Sequence, residues 1–106
     1  MVGMKVTASK VANVFLKLAQ EKNEELTNLK LQKLVYYAQA WYLAIYEKPL
    51  FDDEIEAWIH GPAVPSIYKM YKKFGWKPIT TLPQKVILPK NVKEHIAEVM
   101  DIFGKF

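Results

Sequence analysis

The sequence predicts a mainly α fold: a compact single domain, residues 1–106, of about four helices around a buried central helix at 28–47, with a short two-stranded β element. Three observations carry this prediction. Leu34 to Tyr46 reads LVYYAQAWYLAIY and holds no charge over thirteen residues. That run is too short and too rich in tyrosine for a bilayer span, which needs about 18 or more apolar residues, so it reads as a helix that the rest of the fold wraps around. Apolar residues also recur at helical spacing in several separate stretches, and one segment alternates with period two between clear turn signals.

The elements follow in order. Thr7 can cap a first helix that runs to about Lys22, with Val11, Phe15 and Leu18 at i, i+4 and i+7 and with Val14 and Ala19 broadening the stripe. The polar EKNEE stretch turns. A second helix starts at the N-cap residue Thr27, and Leu31, Leu34, Val35, Ala38, Trp41, Tyr42 and Ile45 form its apolar stripe. Lys48-Pro49 ends it, because the residue before proline resists helical geometry. Ile55, Ala57 and Ile59 then alternate with Glu54, Glu56, Trp58 and His60, as in a strand with two unlike faces, and Gly61-Pro62 signals a turn. Pro62 or Pro65 suits the first turn of a third helix bearing Val64, Ile67, Tyr68 and Tyr71, which Gly75 terminates. The partner strand is expected within residues 79–88. A last helix from about Asn91 places Val92, Ile96, Val99 and Phe103 on one face, and Gly104 closes it.

Composition narrows the function. Cysteine is absent, so no disulfide frame, thiolate metal site or cysteine nucleophile is available. His60 and His95 stand far apart in the chain with no metal-ligand spacing, Ser9 and Ser66 lack a nucleophile elbow, and the four glycines never cluster into a phosphate loop. No enzyme activity, cofactor or metal is expected. The N-terminal MVGMKVTASK lacks the apolar core of a leader peptide, which points to the cytoplasm. All fifteen basic residues are lysine. Without arginine's planar fork, sequence-specific nucleic-acid reading is not expected, and nor is a membrane partner. Asp52, Asp53, Glu54 and Glu56 form an acidic knot that reads as an exposed turn. From Ala57 to Lys93 there is no acid, while seven lysines accumulate. Such a face suits an acidic protein partner.

Lys30 and Lys33 lie in the first turns of the second helix, where the dipole disfavours cations. Either both are solvated, or Lys33 pairs with the acidic knot, or one of the two meets an acidic partner. Tyr36, Tyr37, Trp41, Tyr42 and Tyr46 sit at helical spacing and read as core rather than as a ligand cage, with Gln39 a candidate partner for a buried hydroxyl. Trp58 to Tyr71, stiffened by Pro62 and Pro65, reads as an aromatic ridge, either a structural corner or a protein interface. The expected partner-binding face comprises Lys30, Lys33, Trp58, His60, Pro62, Pro65, Tyr68 and Lys72.

The segments LTNLKLQKLVYYAQAWYLA and PLFDDEIEAWIHGPAVPSIYKMYKKFG resemble the Panacea domain, found in SocA-like antitoxins and phage-associated GepA-like proteins. The likeness rests on Leu31-Gln32-Lys33-Leu34, Tyr36-Tyr37-Ala38-Gln39, Trp41, Pro49-Leu50-Phe51, Glu56-Ala57-Trp58, Gly61-Pro62, Val64-Pro65 and Tyr68. It implies a non-catalytic antitoxin that neutralises a protein toxin, encoded by a neighbouring gene, by direct binding. The alternatives are an adaptor that delivers a toxin to a protease and a small nucleic-acid-binding regulator of a phage or mobile element. The resemblance also implies a segment after the last helix with a Thr-His pair and a closing tryptophan; the chain stops at Phe106 without it.

Overall fold

The computed structural model describes residues 5–105. Met1–Met4, part of the stretch read above as lacking a leader's apolar core, and Phe106 lie outside the described residues. The element order is α1 (Ala8–Glu21), α2 (Asn28–Tyr46), β1 (Glu56–Trp58), β2 (Gly61–Ala63), α3 (Pro65–Tyr71), a 3-10 turn η1 (Lys72–Phe74) and α4 (Lys90–Phe103). The predicted mainly α class with a small antiparallel sheet is what the chain forms.

The helix starts follow from hydroxyl caps. Thr7 and Thr27 hold extended backbone, and their Oγ1 atoms accept the N–H groups of Lys10 and Lys30. Each satisfies one amide that the helix cannot. Asp53, remote in sequence, adds a second cap to α1: its Oδ1 accepts the Ala8 N–H at 3.0 Å while Oδ2 accepts the Ser66 hydroxyl at 3.0 Å. One member of the acidic knot thereby ties the first helix to the start of the third. Pro65 occupies the first turn of α3, and Gly75 ends η1 at φ +58°, a conformation open to glycine without steric cost.

α2 touches α1, α3, α4 and β2. The core collects Val11, Phe15, Leu31, Leu34, Val35, Ile67, Ile96 and Val99, all fully or almost fully buried. Burying side chains of this size contributes about 1.5–3 kcal/mol each. The burial of α2 is uneven along its length. Leu31, Leu34, Val35, Ala38 and Tyr42 are inside, but Trp41 is 41% and Ile45 53% exposed, and Leu43 and Tyr46 also face solvent. α2 has 19 residues and α1 and α4 have 14 each, so at 1.5 Å per residue α2 is about 7 Å longer than either neighbour; Trp41 nonetheless meets Phe103 of α4 edge to face, with ring centroids 6.1 Å apart.

The β element also differs from the expected pairing. β1 pairs with β2 immediately after it, in the register Glu56↔Ala63, Ala57↔Pro62 and Trp58↔Gly61. The turn is therefore Ile59-His60, and Gly61-Pro62 lies within the second strand. Gly61 opens that strand at φ +117°, which is why glycine stands there. No strand forms within 79–88. The nearest pairing is an isolated bridge of Thr27 with Pro78, reinforced by the Ile79 N–H donating to the Leu26 carbonyl at 2.8 Å. Pro83 and Pro89 bracket the rest of that segment, and proline cannot donate to a ladder.

Candidate partner-binding face

A hairpin of three-residue strands cannot hold itself in place. Three side-chain amides of α2 hold this one. Asn28, Gln32 and Gln39 fall at i, i+4 and i+11, within about 40° of one another around a helix of 3.6 residues per turn. Gln32 Oε1 accepts the buried Val64 N–H at 2.7 Å, and its Nε2 donates to Asn28 Oδ1 at 2.9 Å. Asn28 Nδ2 in turn donates to the Tyr68 carbonyl of α3 at 3.2 Å. Gln39 Oε1 accepts the N–H groups of Leu50 and Phe51, and its Nε2 donates to the Phe51 carbonyl at 2.8 Å. Gln39 thus holds backbone on the return from α2, rather than meeting a buried tyrosine hydroxyl as its place among aromatics suggested.

The framework fixes both sides of the hairpin and leaves its outer face open. Trp58 meets Tyr68 of α3 edge to face, with ring centroids 4.9 Å apart and planes at 79°. The indole N–H donates to Glu56 Oε1 at 2.8 Å. Trp58 remains 36% exposed, and Ile59 at the hairpin tip is 99% exposed. His60 beside it is also exposed, and Pro62 and Pro65 are half-buried at the hairpin's second strand and at the start of α3. Lys72 opens the 3-10 turn after α3 and is solvent-exposed. Trp58, His60, Pro62, Pro65 and Tyr68 therefore belong to one hairpin–α3 unit.

The two lysines of α2 part ways. Lys33 is exposed, next to the Gln32 that grips the hairpin, and among the described residues it makes no ion pair with the acidic knot. Lys30 is half-buried, and its ammonium donates to the Gly104 carbonyl at the end of α4, where the helix dipole favours a cation. Ion pairs among the described residues are Lys22–Asp101 at 2.9 Å and Lys90–Glu94 at 4.0 Å. Lys69, Lys72, Lys73 and Lys77 therefore carry their charge outward around α3 and η1.

His95 is buried, with Nε2 3.0 Å from the Ala38 carbonyl and its ring edge to face with Tyr42. Since a carbonyl only accepts, Nε2 carries the proton. Sequence reasoning passed over Ile59, Met70 and Trp76, all exposed, the last at 84%. It also passed over the amide ladder, whose signal was present: carboxamides at helical spacing along one stripe of the second helix.

A family model described as Antitoxin SocA-like, Panacea domain, matches residues 31–106. The chain belongs to the SocA-like Panacea family. It is 38% identical over 97 residues to antitoxin SocA of Caulobacter vibrioides, an alignment covering 92% of this chain and 47% of that relative. The chain thus spans about half the length of the curated relative it matches. No solved structure matches. The ladder begins at Asn28, just ahead of the matched stretch, and among the residues that carry the Panacea resemblance it joins Gln32, Gln39, Leu50, Phe51, Val64 and Tyr68.

No helix among the described residues is long and apolar enough to cross a membrane.

Proposed function

We propose that this Panacea domain acts as an antitoxin, binding a protein toxin encoded by a neighbouring gene and neutralising it by contact, without catalysis. Family membership supports the antitoxin role. The observation that carries direct binding is the Trp58–Tyr68 pair, held open to solvent on a hairpin whose backbone is secured from behind. Tryptophan and tyrosine on a rigid support bring large contact area at low ordering cost, as interface hot spots do. Lys72 directly after α3, with the acid-free run from Ala57 to Lys93, matches a toxin surface that is acidic, and Lys33, exposed on α2, adds to the positive charge. Charges at such a rim accelerate association more than they deepen affinity. Lys30, tied to the end of α4, supports the framework.

The test is co-expression with the product of the adjacent reading frame. The wild-type chain is expected to restore growth and to co-purify with the toxin. The Trp58→Ala/Tyr68→Ala variant is expected to lose both while retaining its far-ultraviolet circular dichroism. Rescue by that variant equal to wild type would remove the hairpin from the binding face.

A further inference from the structure

A second concave surface lies between α1 and α4, and none of its lining residues comes from α2, the hairpin or α3. The segment 83–88 runs along it as a strap, and the groove so formed has a volume of about 900 Å³. Its floor is apolar: Val14 and Leu18 of α1, Val86 and Leu88 of the strap, and Ala97 of α4. Its rims are basic. Lys17 stands on the α1 side, and Lys85 and Lys93 on the other; the lining also holds Glu21 and the Lys90–Glu94 pair. Among the described residues, Lys17, Lys85 and Lys93 have no carboxylate within ion-pair distance.

The groove is built in advance. The Gln84 N–H donates to Asn13 Oδ1 at 2.9 Å, and Asn13 Nδ2 donates to the Ser9 carbonyl at 3.0 Å, so the strap is fastened to α1 through an oriented carboxamide. Leu88 buries the strap's far end in the core. A surface ordered before its ligand arrives loses less affinity to ordering.

We propose that this groove is a docking site for an acidic amphipathic helix of a partner protein. Charge selects the occupant: three lysines without carboxylate partners, set on both sides of an apolar floor, match a helix with aliphatic residues on one face and carboxylates flanking it. Shape selects a helix over a strand, because the walls are helices and the strap, without a strand of its own, offers no sheet edge to extend. Walls of 14 residues each are about 21 Å long, the length of a helix of about four turns. The site is separate from the hairpin–α3 unit, so it provides a second contact that does not compete with the first.

The probe is a fluorescein-labelled, designed 14-residue helix with leucines at i, i+3, i+4 and i+7 and glutamates on its flanks, compared with the same peptide carrying lysines. Fluorescence anisotropy is expected to show the glutamate peptide binding at least tenfold more tightly. Amide shifts should map to Val14, Leu18 and Ala97. The exposed double variant Lys85→Glu/Lys93→Glu is expected to weaken binding at least tenfold. Ala97→Trp, which fills the groove without altering its charge, is expected to abolish it. The Trp58→Ala/Tyr68→Ala variant should bind the peptide like wild type, which separates this site from the toxin-binding face. Equal affinity for the two peptides, shifts clustered on the hairpin, or binding unchanged in both groove variants would overturn the proposal. Tighter binding to vesicles of anionic phospholipid than to the peptide, lost in the same variants, would also overturn it by making the occupant a lipid surface.

Discussion

The two halves of the family signature do opposite work. The half on α2, from Leu31 to Gln39, points mostly inward, Lys33 excepted: Gln32 and Gln39 saturate backbone groups of Leu50, Phe51 and Val64. The half on the hairpin, around Trp58 and Gly61-Pro62, points outward and leaves an indole and a phenol ring at the surface. A signature can thus be specific for a family while only part of it is available to a partner. The inward half should control stability and the outward half binding, and substitutions can pull these apart.

The largest effect is expected from Gln32→Ala. It leaves the buried Val64 N–H without an acceptor, at a cost of about 1–3 kcal/mol, and urea denaturation should show the loss. Binding should fall only in proportion to the unfolded fraction; a binding loss at full stability would break the division between the halves. Asp53→Ala removes the remote cap on α1, and thermal unfolding should register about 1 kcal/mol, the usual cost of a lost cap. Lys33→Glu should change stability by no more than about 0.5 kcal/mol, as surface substitutions do, yet slow association with the toxin in stopped-flow mixing. An unchanged association rate would take Lys33 out of the face.

The smallest effect is confined to alkaline solution. Burial raises the Tyr71 phenol above its ordinary 10.0, so the native state keeps that proton longer than the unfolded chain does. The stability this contributes is whole below pH 10.0 and is lost as pH climbs through the folded value. Tyr71→Phe should therefore show a shallower decline of Tm above about pH 10 than wild type, with none of the hairpin's binding changed.

Much of this was legible in the chain. Thr7, Thr27 and Pro65 mark helix starts by chemistry that acts within one turn, and all three do so in the structure, whereas Gly75, expected to end the third helix, ends the 3-10 turn that follows it. The exposure of Trp41 and Ile45 was not legible, because periodicity identifies a stripe but not how fully its neighbours cover it. The hairpin register was missed for a local reason: Ile59-His60 are not turn formers by type, and the adjacent Gly61 supplies its left-handed geometry from the first position of β2. The partner strand sought within 79–88 does not form, since proline interrupts the segment and only Pro78 bridges to Thr27. Of the proposed binding face, the aromatic ridge around Trp58 and Tyr68 was visible as residue type. The separate duty of Lys30 was not, because its acceptor, Gly104, lies at the far end of the chain.

The carboxamide ladder has one more consequence. Because the hairpin takes its position from α2 and not from its own short strands, Ile59 and His60 at its apex contribute little to folding. Those two positions can therefore be substituted while the scaffold beneath stays as it is.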